Sequence, residues 1–357
     1  MSARTRALRR YACIATALAA PTLHAQSAPT LLQRLAILDA KKAEAVERGE
    51  AVTMTLDAPE KAEIATLGIV RLEVPRAFYL DHVKELTGFL SNGPKPLSGS
   101  FADPATIEDV ASLVLDPSDA KALQKCRSFA CDVKLPASEM VKFRSALARS
   151  PAPGPRADSL MRDWLVAYVN GYRADSAEET VVYDDTKHSV RSRDAFRALM
   201  AEPMIAGLDG APFASMLATP RSARPAEVAT RISWELNRMP GLKPTLEVLE
   251  RSMYSSPAHT DESWMTSKLL YASHYFESQV DFLTVADAPA SSGKNAMYLV
   301  VLRRSKFDDL PSGGLFNIRG KAVKKLRDAL KTVLANTRTE VGKAYAESAS
   351  TPAPRTP

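Results

Sequence analysis

The sequence predicts an α+β fold: an antiparallel sheet closed by one long C-terminal helix, with a large mainly helical insertion. Three observations predict it. Apolar and polar residues alternate in short runs at 65–74 and again from 228 to about 304, the signature of half-buried strands. In "GKAVKKLRDALKTVLANTRTEVGKAYA" (320–346), Val323, Leu326, Leu330, Val333, Thr337 and Val341 recur at steps of three and four, so one face of a long helix is apolar. Between these blocks, over 101–224, the periodicity is mainly helical.

The elements follow in order. Arg4, Arg6, Arg9 and Arg10 precede the short apolar run "YACIATALAA" and the small residues of "PTLHAQSA". That arrangement reads as a secretory signal peptide over 1–25, cut near Ala25. A run of this length is too short to cross a bilayer, which takes roughly 20 apolar residues. A periplasmic or secreted protein is expected. Without those four of the 47 bases, 43 stand against 41 acids, a formal +2. So small a charge gives no argument for nucleic acid.

Residues 26–59 form an N-terminal segment. "ATLGIVRLEV" (65–74) is a strand, and Pro75 opens a helix over "RAFYLDHVKELTGFL", with Phe78, Val83, Leu86 and Leu90 as its stripe. In the insertion, "DPATIEDVASLVL" predicts a helix with Asp103 as cap and Pro104 at its first position. "PASEMVKFRSALA" repeats that style. "DSLMRDWLVAYVNGYRA" sets Leu160, Trp164, Tyr168 and Tyr172 on one helix face, and "SRDAFRALMA" follows. "TRISWELNR" alternates strictly, Ile232, Trp234 and Leu236 against Arg231, Ser233, Glu235 and Asn237. "KPTLEVLERSMY" and "AMYLVVLRRS" are further strands. "SKLLYASHYFESQVDF" (267–282) is long enough for two strands with a bend between 273 and 280. The expected boundaries are 60–100 plus 225–345 for the sheet and its helix, 101–224 for the insertion, and a disordered Pro-rich tail over 346–357.

Once the leader is removed, the remaining cysteines are Cys126 and Cys131, in "CRSFACDVKL". In an oxidising compartment a close even pair reads as a disulfide. Free thiols are one alternative. A metal site is another but needs two further ligands, and a redox pair wants C-x-x-C.

The motifs of common chemistries are missing. His82, His188, His259 and His274 show no metal-ligand spacing. There is no G-x-S-x-G elbow, no phosphate-binding G-x-x-x-x-G-K and no G-x-G-x-x-G. Two acid pairs, Asp184-Asp185 in "VVYDDTKH" and Asp308-Asp309 in "SKFDDLPSGG", are the raw material of carboxylate chemistry only if they face each other across a cleft. Read alone they are caps and solvated loops. No catalytic residue, metal or cofactor is assigned.

The order strand, helix, antiparallel strands, long final helix resembles the helix-grip fold of the START and Bet v 1-like superfamily. "GIVRLEVPRAFYLDHVKEL" looks like the entry of such a domain, and "YLVVLRRSKFDDLPSGGLFNIRGKAVKKLRDALKTVL" looks like its end. "CRSFACDVKLP", "SKLLYASHYF" and "YLVVLRRSKFDDLPSGG" are also similar to a group of exported bacterial proteins of unassigned function, a likeness that supplies no activity.

The helix-grip resemblance implies an apolar cavity between sheet and helix, able to carry a lipid or another hydrophobic molecule. Trp234, Leu236, Phe276 and Tyr271 are its expected lining, with Ile232, Leu246, Val248 and Leu299 on the same concave face. His274 is read as a core histidine paired to backbone or to a neighbouring acid, as the polar group that meets the ligand, or as an acid–base catalyst. Lys321, Lys324, Lys325, Arg327 and Lys331 give the last helix a basic face suited to an anionic membrane surface. The competing expectation is a scaffold or interaction protein with a filled core. A lipid carrier and a scaffold differ in whether space lies behind the sheet.

Overall fold

The computed structural model describes residues 31–86, 88–90, 96–174, 181–201, 208, 217, 224–238, 242–255, 261–289, 295–308 and 318–350. The expected leader, His259 and Asp309 lie outside them. Strands β1 (Val52–Leu56), β2 (Glu63–Leu72), β3 (Leu97–Ser100), β6 (Ala229–Asn237), β7 (Thr245–Tyr254), β8 (Glu262–Ala272), β9 (Phe276–Ala288) and β10 (Ala296–Phe307) form one eight-stranded sheet. Its order is β1-β2-β10-β9-β8-β7-β6-β3, and neighbours run antiparallel. A short ribbon pairs β4 (Val182–Tyr183) with β5 (Val190–Arg191). The helices are α1 (Leu31–Arg34), α2 (Ala40–Glu47), α3 (Arg76–His82), α4 (Pro117–Leu123), α5 (Ala137–Leu147), α6 (Gly154–Arg173), α7 (Ser192–Ala201) and α8 (Ile318–Ser350).

The sheet is covered on both faces. One face carries Ile232, Trp234, Leu236, Leu246 and Val248, which pack with Leu123, Phe143, Met161 and Leu165 of α4, α5 and α6. Farther along that face, Leu67, Ile69, Phe282 and Val300 meet α1 and α7. The other face carries Val70, Leu72, Leu283, Val285, Leu299 and Val301 against α3 and the apolar stripe of α8. Because both faces are buried, all ten residues of β2 are buried, and their polar members lie inside the protein.

α8 lies on β1 and β2. At 1.5 Å per residue its 33 residues span about 50 Å. Gly68 permits the close approach: a Cβ there would sit 2.6 Å from Leu334 Cδ1 and 2.9 Å from Leu330 Cδ2. At the far end Tyr345 meets Phe78 of α3 edge-on, 4.9 Å between centroids.

Several local expectations change. The first helix stops at His82, because Leu86 turns into the left-handed region (φ 53°) and buries its side chain beside α3. Asp103 caps no helix. The segment 102–106 is a loop held by side chains: Asp109 accepts the amides of Ala102 and Thr106, and Asn170 brackets Ala105 with two hydrogen bonds. Only a 3-10 turn, Ile107–Val110, follows, capped by Thr106. The buried stripe of α6 runs through Ala157, Met161, Leu165, Tyr168 and Val169, while Leu160, Trp164 and Tyr172 form its half-buried flank. α8 continues through Ser350, into the segment expected to be disordered, since "AESAS" holds good helix formers and the first proline comes at 352. β1, within the expected N-terminal segment, adds an edge strand that sequence reading did not place.

Cys126 and Cys131 form a disulfide closing the turn after α4. No helix among the described residues is long and apolar enough to cross a membrane.

Candidate functional site

The expected ligand-lining residues do not share one chamber. Trp234 and Leu236 face the helical layer, where Trp234 Nε1 donates to the Asp109 carbonyl at 2.8 Å. Tyr271 lies there too. The register shift between Val248 and Leu249 makes Leu270 the extra residue of a bulge, so Leu270 and Tyr271 both reach the helical layer. Tyr271 Oη donates to the Lys134 carbonyl at 3.1 Å. Phe276 lies elsewhere, against Phe307, Ile64 and the first turns of α8.

His274 is not on a strand face. It sits in the turn 273–275 between β8 and β9, where Tyr275 takes φ +66°. There it pairs with Asp119 of α4, Nε2 to Oδ2 at 2.9 Å, with both side chains 5% exposed. Lys243 Nζ stands 3.6 Å from the other Asp119 oxygen. The arrangement pins the β8–β9 turn to the helical layer. It is a core histidine paired to a neighbouring acid, the bland form among the readings its sequence context allowed.

The α8 side of the sheet is different. Register places the residues that face α8 in order along each strand. On β10 they run Leu299, Val301, Arg303, Ser305, Phe307. On β9 they run Val285, Leu283, Asp281, Gln279, and the chain then reaches Phe276. On β8 they are Met265, Ser267, Leu269; on β7, Met253, Arg251, Leu249; on β2, Leu72, Val70, Gly68, Thr66, Ile64. Five strands thus share one pattern, apolar, then small or polar, then apolar, and on β7 the run continues past Leu249 to Glu247. The result is a polar belt crossing the sheet between two apolar clusters. Leu330, Leu334 and Val341 of α8 belong to one cluster, and Ala322, Val323 and Leu326 to the other.

The belt is densely charged. Arg303 grips Asp281 with two hydrogen bonds, 2.7 and 2.6 Å. Arg251 donates to Ser233 at 2.6 Å and to Glu235 at 2.9 Å. Glu247, cross-strand neighbour of Glu235, accepts from Asn237 at 3.3 Å. Glu247, Arg251 and Asp281 are buried. Burial pushes the Glu247 carboxyl up to about 8, with Glu235 adding to the rise and Arg303 and Arg251 opposing it. Burial works against the charge on Arg303, and the Asp281 carboxylate more than restores it. The belt therefore pairs Arg303 with Asp281 and Arg251 with Glu235, Arg231 across from Arg251 pairs with Glu85, and burial favours the protonated form of Glu247. The belt is balanced in charge, with a neutral carboxyl able to donate. Thr66 is 1% exposed, and its Oγ1 has no hydrogen-bond partner among the described residues.

No protein-family model matches the chain, and no curated protein does. The site is read from its own residues. Alternation on β6 separates Ser233, Glu235 and Asn237 from the apolar face without saying what covers them, so the belt does not show in the sequence reading. The signal was present: a sheet that must seat both a helical layer and a 33-residue helix has no solvated face.

No group of three or more His, Cys, Asp or Glu side chains among the described residues has the arrangement of a metal site. On α8, Lys321, Lys324, Lys325 and Lys331 are exposed and Arg327 is half-buried. Asp328 pairs with Lys324 at 2.6 Å and with Arg327 at 3.3 Å.

Proposed function

We propose that this protein binds an amphipathic molecule, a lipid or similar hydrophobic compound, between the sheet and α8 in a helix-grip arrangement. The polar belt is the observation that carries the reading. A molecule laid across it would meet the Arg303–Asp281 and Arg251–Glu235 pairs, the protonated Glu247 and the Thr66 hydroxyl with its polar group. Its apolar parts would lie on Met253, Met265 and Leu283 to one side and on Leu249 and Leu269 to the other. Mostly apolar walls with a few placed polar groups are what small-molecule sites use. Charge balance in the belt favours a neutral polar end, such as a hydroxyl or amide, over a free acid or amine. Pairing in the belt also fits this purpose: left unpaired, such charges would cost several kcal/mol each.

The expected export and the anionic-membrane contact through Lys321, Lys325 and Lys331 belong to the same proposal, a carrier that meets a membrane to load or unload. The Cys126–Cys131 disulfide supports an oxidising compartment.

Native mass spectrometry of protein purified from its own host, followed by organic extraction, tests the binding reading. A reproducible hydrophobic mass is expected on the wild-type chain and is expected to be lost from the Arg303→Met/Asp281→Leu double variant, which removes the pair without leaving a lone charge. A wild-type protein free of any such mass, or a double variant that retains it, rejects the proposal.

A further inference from the structure

The two acid-pair motifs converge on a second site at another part of the molecule. Asp185 of "VVYDDTKH" and Asp308 of "SKFDDLPSGG" both reach Lys134, a lysine 2% exposed in the segment before α5. Its Nζ is 3.5 Å from Asp185, forms an ion pair with Asp308, and sits 4.3 Å above the Tyr183 ring. This knot ties the β4–β5 ribbon to the end of β10. Beside it opens a cleft of about 570 Å³.

The cleft has charges of both signs. Glu60, Asp194, Glu277 and Asp308 line it with Lys306, Arg191 and His188. Glu277, at the start of β9, is the informative group. It is 8% exposed, and what remains open faces the cleft. Its nearest charged partner, Lys306, stands 3.8 Å away, beyond hydrogen-bond range, and Lys306 is engaged by Glu60 at 2.9 Å. No described residue hydrogen-bonds the Glu277 carboxylate. A buried carboxyl normally has donors. Here they are missing on the side where space for a ligand lies. Arg191 and His188 are exposed on the same cleft, and neither makes an ion pair or side-chain hydrogen bond with a described residue.

We infer that this cleft binds a small zwitterion, a free amino acid or a short peptide. Its ammonium group would donate to Glu277, and its carboxylate would meet Arg191. A purely anionic ligand would leave Glu277 without donors and would face Glu60, Asp194 and Asp308 as well, and a purely cationic one would leave Arg191 without an acceptor. The volume lies in the range of small-molecule sites and suits a dipeptide. The inference stands apart from the belt: it uses none of the same residues and concerns a different class of ligand.

Saturation-transfer NMR of the intact protein tests it, with one pool of the twenty free amino acids and another of Xaa–Ala dipeptides, each at millimolar concentration. At least one pool should show transfer. N-acetylation of that pool should abolish it, and Glu277→Gln should weaken the best ligand about tenfold or more, the loss expected for a charge-assisted hydrogen bond. Arg191→Ala should weaken it as well. Lack of transfer from both pools overturns the inference. So does equal binding of the acetylated pool, or a Glu277→Gln protein with unchanged chemical shifts and unchanged affinity.

Discussion

At the scale of single residues, the interior holds more charge than its strand pattern suggests, and Glu247 is the extreme case. In an unfolded chain it releases its proton near 4.5, while in the folded protein it keeps it to about 8. Between those values the folded state binds the extra proton. Its contribution to stability is therefore full below about pH 4.5 and is lost as pH rises through about 8, at a slope approaching 1.4 kcal/mol per pH unit for one proton. Glu247→Gln keeps the shape and cannot ionise. The difference in unfolding free energy between wild type and variant, from urea titrations at pH 5, 6, 7 and 8, should grow with pH in favour of Gln. A difference that stays flat over that window would mean Glu247 is ionised in the folded protein, and the neutral belt would be wrong.

At the scale of elements, the sequence was legible wherever one residue type dictates one geometry. The strict alternation of Ile232, Trp234 and Leu236 identifies β6, Pro136 opens α5, and the three-and-four spacing from Val323 to Val341 marks α8. It was illegible where a side chain elsewhere decides. Asn170, on α6, holds the loop that a local reading makes a helix at 104–115. A single bulge residue, Leu270, sends Tyr271 to the helical layer, and no local signal marks it. Alternation also says which residues share a face without saying what covers that face. Trp234 and Leu236 were therefore assigned to a cavity that their own helices fill, while Glu235 and Arg251 were overlooked. The seat of α8 illustrates how tightly such elements fit. Gly68→Ala would place a methyl 2.6 Å from Leu334 Cδ1 inside a packed cluster, so α8 must shift or its leucines leave their rotamers. Overpacking of this kind costs about 1–3 kcal/mol. Thermal melts of Gly68→Ala should show that loss, and adding Leu334→Ala should recover part of it. A Gly68→Ala protein as stable as wild type would show that α8 does not press on β2.

For the whole molecule, the question is whether the insertion is a separate body or a layer of the same core. Ile232, Trp234, Leu246 and Val248 of the sheet share one apolar cluster with Leu123, Phe143, Met161 and Leu165 of the insertion. The His274–Asp119 pair, the Tyr168 hydroxyl on the Leu270 carbonyl at 2.8 Å and the Lys134 knot cross the same boundary. A layer attached through so many buried contacts should not unfold ahead of the sheet. The three tryptophans report on this directly: Trp164 lies on α6, and Trp234 and Trp264 project from β6 and β8 on the face opposite α8. Far-UV circular dichroism, by contrast, sums the helices of both parts, α4 to α7 of the insertion and α8 alike. Urea unfolding followed by tryptophan fluorescence and by ellipticity should therefore give coincident transitions with one midpoint. Removing the disulfide with Cys126→Ser/Cys131→Ser should move both curves together, by about 2 kcal/mol for so short a loop. If either curve is biphasic, or if the cysteine variant moves only part of a transition, the helical layer is an independent unit resting on the sheet. The belt beneath α8 would then be held by that helix and its strands without help from the opposite face.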